Sequence, residues 1–159
     1  MYDVTFYFAH HYLENGDRTI DQMVQAARSG KQNIAEGAAA GNTSKETEIK
    51  LTNVAKASLQ ELLVDYEDFL RVRGLKQWQP DDARLAQTKR ACAAHNDSEY
   101  YRKAMPERSA ETIANIAITL IHQTDWLLNK LIEKLEIQFV ENGGVKEQMT
   151  KARKEYRGY

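Results

Sequence analysis

One cysteine, two prolines and eight glycines in 159 residues are the scarcities that shape this chain. The single thiol, Cys92, excludes an internal disulfide and a four-thiolate zinc site, and predicts a reducing, cytoplasmic setting. So little proline and glycine, among long stretches of Ala, Leu, Glu, Lys, Gln and Arg, argues for helix over sheet. An excess of one charge is also missing: 22 basic side chains stand against 23 acidic ones, for a net charge of −1. That balance removes the bulk attraction of a general nucleic-acid coat or an anionic-membrane binder, so any polyanion contact must be local. The amino-terminal MYDVTFYFAHHY has no basic leader, and its apolar run from Val4 to Ala9, interrupted by Thr5, is far too short to span a bilayer. Neither export nor membrane insertion is expected. What remains, 42% hydrophobic and 28% charged, suits one compact domain.

The few breakers sit where a helical chain needs them. Asn15-Gly16-Asp17 separates a first helix, about 2–14, from a second that Asp17 or Thr19 can cap. Gly41-Asn42 ends the second, and Thr43-Ser44-Lys45-Glu46 reads as a capping box opening a third. That third helix carries Leu51, Ala55, Leu59, Leu62, Leu63, Tyr66, Phe69 and Leu70 at helical spacing and closes at Gly74. Residues 75–106 read as an insertion with a short helix at 82–94 and turns at Trp78–Asp82 and Asn96–Ser98. Pro106 suits the first turn of a last long helix that runs from about 107 to Glu141 and stops at Asn142-Gly143-Gly144. The expected architecture is all-α: an antiparallel up-and-down four-helix bundle over 1–144, with a helical insertion before the last helix and a short basic tail over 145–159.

A helix serving one small core is apolar along one stripe, and the first and last helices break that rule. In the first, Val4, Phe6, Tyr7, Phe8, Tyr12 and Leu13 point nearly all round. In the last, a broad face from Ile113 to Leu135, with Leu127 and Leu128, is opposed by Ile118, Trp126, Ile137 and Val140. The insertion or the tail is one source of cover for that second face, and a neighbouring subunit is the other. The expected self-contact residues are Phe6, Phe8, Ile118, Trp126 and Ile137.

Catalytic signatures are sparse. His122 and Asp125 share a helical face, but no Glu-x-x-His pair accompanies them, and His10 and His11 diverge by about 100°. Glu61, Asp65 and Asp68 form a stripe on one face of the third helix, about 120° from its apolar face, so solvent and ordinary carboxylate behaviour are expected. Cys92, with His95 three residues on, lacks an orienting partner for nucleophilic work. Phosphate-loop, dinucleotide, zincin and nucleophile-elbow motifs are absent. A non-enzymatic protein without metal, cofactor or small-molecule substrate is the expectation. The tail sets Lys146, Lys151, Arg153, Lys154 and Arg157 against Glu147 and Glu155, interleaved with Tyr156 and Tyr159. These are materials for RNA contact, and equally those of a solvated helix.

The block Gln25-Ala26-Ala27-Arg28-Ser29-Gly30-Lys31-Gln32-Asn33-Ile34-Ala35-Glu36-Gly37, followed by Ala55-Lys56-Ala57-Ser58-Leu59-Gln60-Glu61-Leu62, resembles the four-helix-bundle proteins encoded by intervening sequences in 23S ribosomal RNA genes. That family includes the accessory variability determinant of diversity-generating retroelements. The resemblance implies a ring, typically a pentamer, without known catalysis, and in the retroelement branch a reverse transcriptase and its RNA as partners. In physical terms, Gly30 and Gly37 let the second helix approach a neighbour closely. Asn33 and Glu36 are expected as partly buried polar groups, paired across helices with Arg28 or Lys31. Arg28 and Lys31 join the tail cations as candidate nucleic-acid contacts. The family's retroelement members are distinctly basic, and its short members lack the insertion and the tail. A pure protein-interaction module of a mobile-element or defence cassette is the competing class.

Overall fold

A computed structural model describes residues 1–158, and these are helical with no strand among them. The helices are α1 (Tyr2–Tyr12), α2 (Arg18–Ala40), α3 (Lys45–Val72), α4 (Ala83–Ala94), α5 (Ser98–Ala104), α6 (Ala110–Asn142) and α7 (Val145–Arg157), with a 3₁₀ turn at Met105–Glu107. None is long and apolar enough to cross a membrane.

Local side-chain chemistry sets most boundaries. Asp17, not Thr19, caps α2, its carboxylate accepting the Thr19 N–H at 2.8 Å. Ser44 caps α3, but no capping box closes: the Ser44 hydroxyl accepts from the Thr47 N–H at 3.2 Å and the Thr47 hydroxyl at 3.0 Å. Gly74 ends α3 at φ +63°, the left-handed conformation that glycine adopts without a Cβ clash. Two expectations fail near the insertion. Asn96-Asp97-Ser98 is not a simple turn, because the Asp97 carboxylate accepts the Tyr100 N–H at 2.8 Å and opens α5. The last helix does not start at Pro106, which falls in the 3₁₀ turn; Arg108 is extended, and Ser109 caps α6 through the Thr112 N–H.

α2 and α3 run antiparallel at close range. A Cβ on Gly30 would meet Leu59 Cδ2 at 3.2 Å, and one on Gly37 would meet Leu51 Cβ at 3.4 Å. A polar link crosses the pair: the Ser29 and Ser58 hydroxyls lie 2.9 Å apart, and Asn33 Nδ2 donates to the Ser29 carbonyl and hydroxyl. Glu36 takes no part in it, since it projects into solvent, and Arg28 and Lys31 are exposed on the outside of α2. The expected pairing of Asn33 and Glu36 with those cations is therefore replaced by a serine bridge.

α6 is antiparallel to α3, with Asn115 beside Trp78 and Asn129 beside Lys56. α1 lies over one end of this trio. Its Thr5 hydroxyl accepts from Tyr66 Oη at 3.0 Å, and its Tyr12 Oη donates to the Arg108 carbonyl at 2.9 Å. Phe8, Met23, Leu62, Tyr66, Leu70, Ile113 and Ile121 meet between α1, α2, α3 and α6 as one fully buried core. Each such side chain contributes about 1.5–3 kcal/mol on removal from water. Phe8 is thus a core residue and not a self-contact residue: α1 turns it inward, and Phe6 outward.

Candidate functional site

The outer face of α6 holds the features that the core does not explain. Its first half is covered by the excursion between α3 and α6. Asn115 is the clasp: its Oδ1 accepts the Trp78 N–H at 2.8 Å, and its Nδ2 donates to the Lys76 carbonyl at 2.9 Å and to the Glu111 carbonyl at 2.8 Å. Trp78 is buried, and α4 then runs along α6 until Gln123 Nε2 donates to the Lys89 carbonyl at 3.1 Å. Under this cover Ile118 and Thr119 are buried, so Ile118 leaves the list of surface residues.

Beyond Gln123 the same face is bare. Trp126 is 60% exposed, Ile137 59% and Val140 82%. Leu127, which the helical projection places on the core side, is 59% exposed as well. The reason is length: α1 has 11 residues, about 16 Å, against 33 residues and about 50 Å for α6. α1 reaches only the Arg108 end, and the rest of α6 packs chiefly on α3. An apolar groove of about 730 Å³ between α4 and α6 ends at these side chains, walled by Leu85, Ile118, His122, Trp126 and Leu127. The insertion therefore supplies the cover for half of the second face. The tail supplies none, because α7 has no buried residue.

Among the described residues, no three His, Cys, Asp or Glu side chains converge as metal ligands. His10 and His11 each donate Nδ1–H to the carbonyl four residues back, on Phe6 and Tyr7; His11 stacks on the Tyr7 ring, and His10 packs tilted against Phe6. Cys92 is buried, and burial first of all pushes its thiol above the ordinary range. The carboxylate stripe of α3 departs from expectation. Glu61 and Asp68 are exposed, but Asp65 is half-buried, and desolvation, followed by repulsion from Asp68 and Glu61, raises its pKa.

Two carboxylates of the clasp shift the other way. Asp82 is held low by hydrogen bonds from the Arg84 guanidinium, with Lys76 assisting, and Glu111 by the Lys76 N–H, with Trp78 and Arg84 assisting. Groups with depressed folded pKa values stabilise the fold above their unfolded values, near pH 4, and that contribution is lost as pH falls through the folded values. Asp65, being raised, does the reverse: protonation favours the folded state as pH falls through its shifted pKa. Thermal melts should therefore rise slightly on mild acidification and fall back below about pH 4. Asp65→Asn should abolish the rise and keep the fall; a rise that persists in that variant refutes the assignment.

The five tail cations, Lys146, Lys151, Arg153, Lys154 and Arg157, are all exposed on α7 and join no ion pair among the described residues. Lys31 lies over the Tyr2 ring, 5.6 Å from its centroid. The cations of α2 and those of α7 are thus carried on separate helices. Tyr159 lies outside the described residues. Sequence reasoning missed Asn115; it named Leu127 on the core face, and it quoted Ser29 and Ser58 in the two resembling blocks without pairing them.

The bare half of α6 is the surface on which a comparison with known proteins would bear. No protein-family model, curated protein or solved structure matches the chain.

Proposed function

We propose that this protein is a non-enzymatic scaffold that self-associates through the uncovered half of α6, with α1, α2, α3 and α6 acting as an up-and-down four-helix bundle. One observation carries the reading. Trp126, Leu127, Ile137 and Val140 are exposed on the longest helix, on either side of the Lys130–Glu133 ion pair, and no other described element covers them. Four large apolar side chains exposed on one helix favour contact with another polypeptide. The resemblance of the α2–α3 block to the 23S intervening-sequence proteins adds a ring, a pentamer in that family, as the form of assembly. Homo-oligomers of identical subunits close by symmetry, which suits one repeated patch.

A second reading extends the first. The five exposed cations of α7, with the retroelement branch of the resemblance, support an accessory subunit of a ribonucleoprotein containing RNA and a reverse transcriptase. In the competing interaction-module reading, the α6 face binds a different polypeptide and no nucleic acid.

Size-exclusion chromatography with light scattering, read at 260 and 280 nm, separates these readings. The assembly reading expects a mass of several chains, near five for the family ring, that Trp126→Glu lowers. A monomer of 18.2 kDa refutes it. A raised 260/280 ratio that falls with added salt supports the ribonucleoprotein, and a clean protein spectrum at low salt refutes that extension.

A further inference from the structure

The exposed side chains of α6 stand in an order that packing within the chain does not require. At 100° per residue, Trp126, Lys130, Glu133 and Ile137 fall within about 60° of one another, on the side of α6 opposite the buried Leu128, Ile132 and Leu135. All four are exposed, and Lys130 reaches Glu133 in an ion pair of 2.8 Å. Along the chain the stripe runs apolar, cation, anion, apolar, at spacings of four, three and four residues. Those spacings are the same read from either end.

A stripe with symmetric spacing can face a second copy of itself in two ways. In a parallel alignment Lys130 meets Lys130 and Glu133 meets Glu133, and both contacts repel. In an antiparallel alignment about a two-fold axis between residues 131 and 132, Trp126 meets Ile137 and Lys130 meets Glu133, on both sides of the axis. Charges removed from water lose hydration, so the ion pairs fix direction and register, while the Trp126–Ile137 contacts supply the apolar burial.

The cover over α6 is centred on the same axis. α4 reaches as far as Gln123, whose Nε2 donates to the Lys89 carbonyl, and Val140 is the last exposed large apolar residue of α6. The bare stretch from Gln123 to Val140 therefore has its midpoint between residues 131 and 132. A second α6 laid antiparallel on that stretch brings its Val140 level with Gln123, at the mouth of the apolar groove between α4 and α6. Farther along, α4 occupies the surface, and there the second α6 ends. Its Asn142 comes level with Ile121, and Gly143, at φ 72°, ψ 172°, breaks the helix before it would run into α4.

We propose that α6 of one copy packs antiparallel on α6 of a second copy across a two-fold axis between residues 131 and 132, Lys130 of each against Glu133 of the other and Trp126 against Ile137. This contact rests on the self-association reading and gives it a geometry. It is isologous, so it closes on two chains, and any larger assembly built with it holds an even number. A ring of five would have to use another surface.

Charge reversal in the full-length chain tests the contact. The wild-type light-scattering mass should be an even multiple of 18.2 kDa. Lys130→Glu and Glu133→Lys should each halve it, because either change sets like charges against each other across the axis, with circular dichroism showing the helix retained. Mixed in equal amounts, the two variants should recover the wild-type mass: each Glu of one chain then faces a Lys of the other, although the ion pair within each chain stays broken. Wild-type mass in either variant alone overturns the contact, as does a mixture of folded variants that fails to recover. A wild-type mass of five chains also overturns it and leaves the scaffold reading in place. If Trp126→Glu lowers the mass while neither charge reversal does, α6 remains the self-contact and only this alignment falls. A wild-type monomer removes both.

Discussion

Phe8→Ala destabilises the folded chain by about 3–5 kcal/mol, the cost of deleting a buried aromatic ring and leaving its cavity. The Phe8 ring is fully buried, with its centroid 4.6 Å from that of Phe69 and 4.9 Å from that of Tyr66. It also sits next to the Tyr66–Thr5 hydrogen bond, the buried polar contact between α1 and α3. Removing the ring therefore opens space at the point where α1 is anchored, and α1 is short enough that no second anchor of similar size replaces it. Phe6→Ala is the matched control. Phe6 is 47% exposed and packs against His10, so its loss should cost under about 1 kcal/mol. Urea titrations of both variants decide the matter, and equal midpoints would refute the assignment of Phe8 to the core.

Asn115→Ala should release the excursion from α6. The substitution strips the buried Trp78 N–H of its acceptor, at about 1–3 kcal/mol for a buried group left unpaired, and the less buried Lys76 carbonyl of a donor. Because α4 is tethered through this point and through Gln123, the loss should be local before it is global, uncovering Ile118 and Thr119. In a Trp126→Phe background Trp78 is the sole indole, so its emission should shift to the red well below the cooperative melt. Asn115→Asp keeps an acceptor for Trp78 and loses the two donated bonds, and should fall between. Unchanged emission in Asn115→Ala would mean that α4 is held by its apolar contacts alone.

The sequence made the long elements legible because their signals are local. Asp17, Ser44 and Gly74 mark helix ends by chemistry that acts within three residues, and the spacing from Leu51 to Leu70 needs only the period of a helix. Tertiary choices were not legible in the same way. α1 is aromatic on nearly every side, so its pattern does not say whether Phe6 or Phe8 turns inward; the position of Tyr66 and Phe69 decides it. Ile118 and Trp126 lie on one face of α6, and only the reach of α4 separates a covered residue from a bare one. Asn96-Asp97-Ser98 serves equally as a turn or as a helix cap, and no apolar period follows to distinguish them. Glu36 reads in the sequence as a partly buried group paired across helices, yet it is exposed, and the small hydroxyls of Ser29 and Ser58 make the crossing instead.

The tight pairing of α2 with α3 also has a kinetic consequence. Gly37 meets Leu51, and Ser29 meets Ser58, across a link of only residues 41–44. Closing so short a loop costs little chain entropy, whereas α6 can dock only after residues 73–109 have been drawn together. Topology of this kind folds its local hairpin early and adds distant elements late. The α2–α3 pair is then the template on which α1 and α6 condense, and a nascent chain that has emerged only as far as Gly74 already holds the two helices from which the rest is organised.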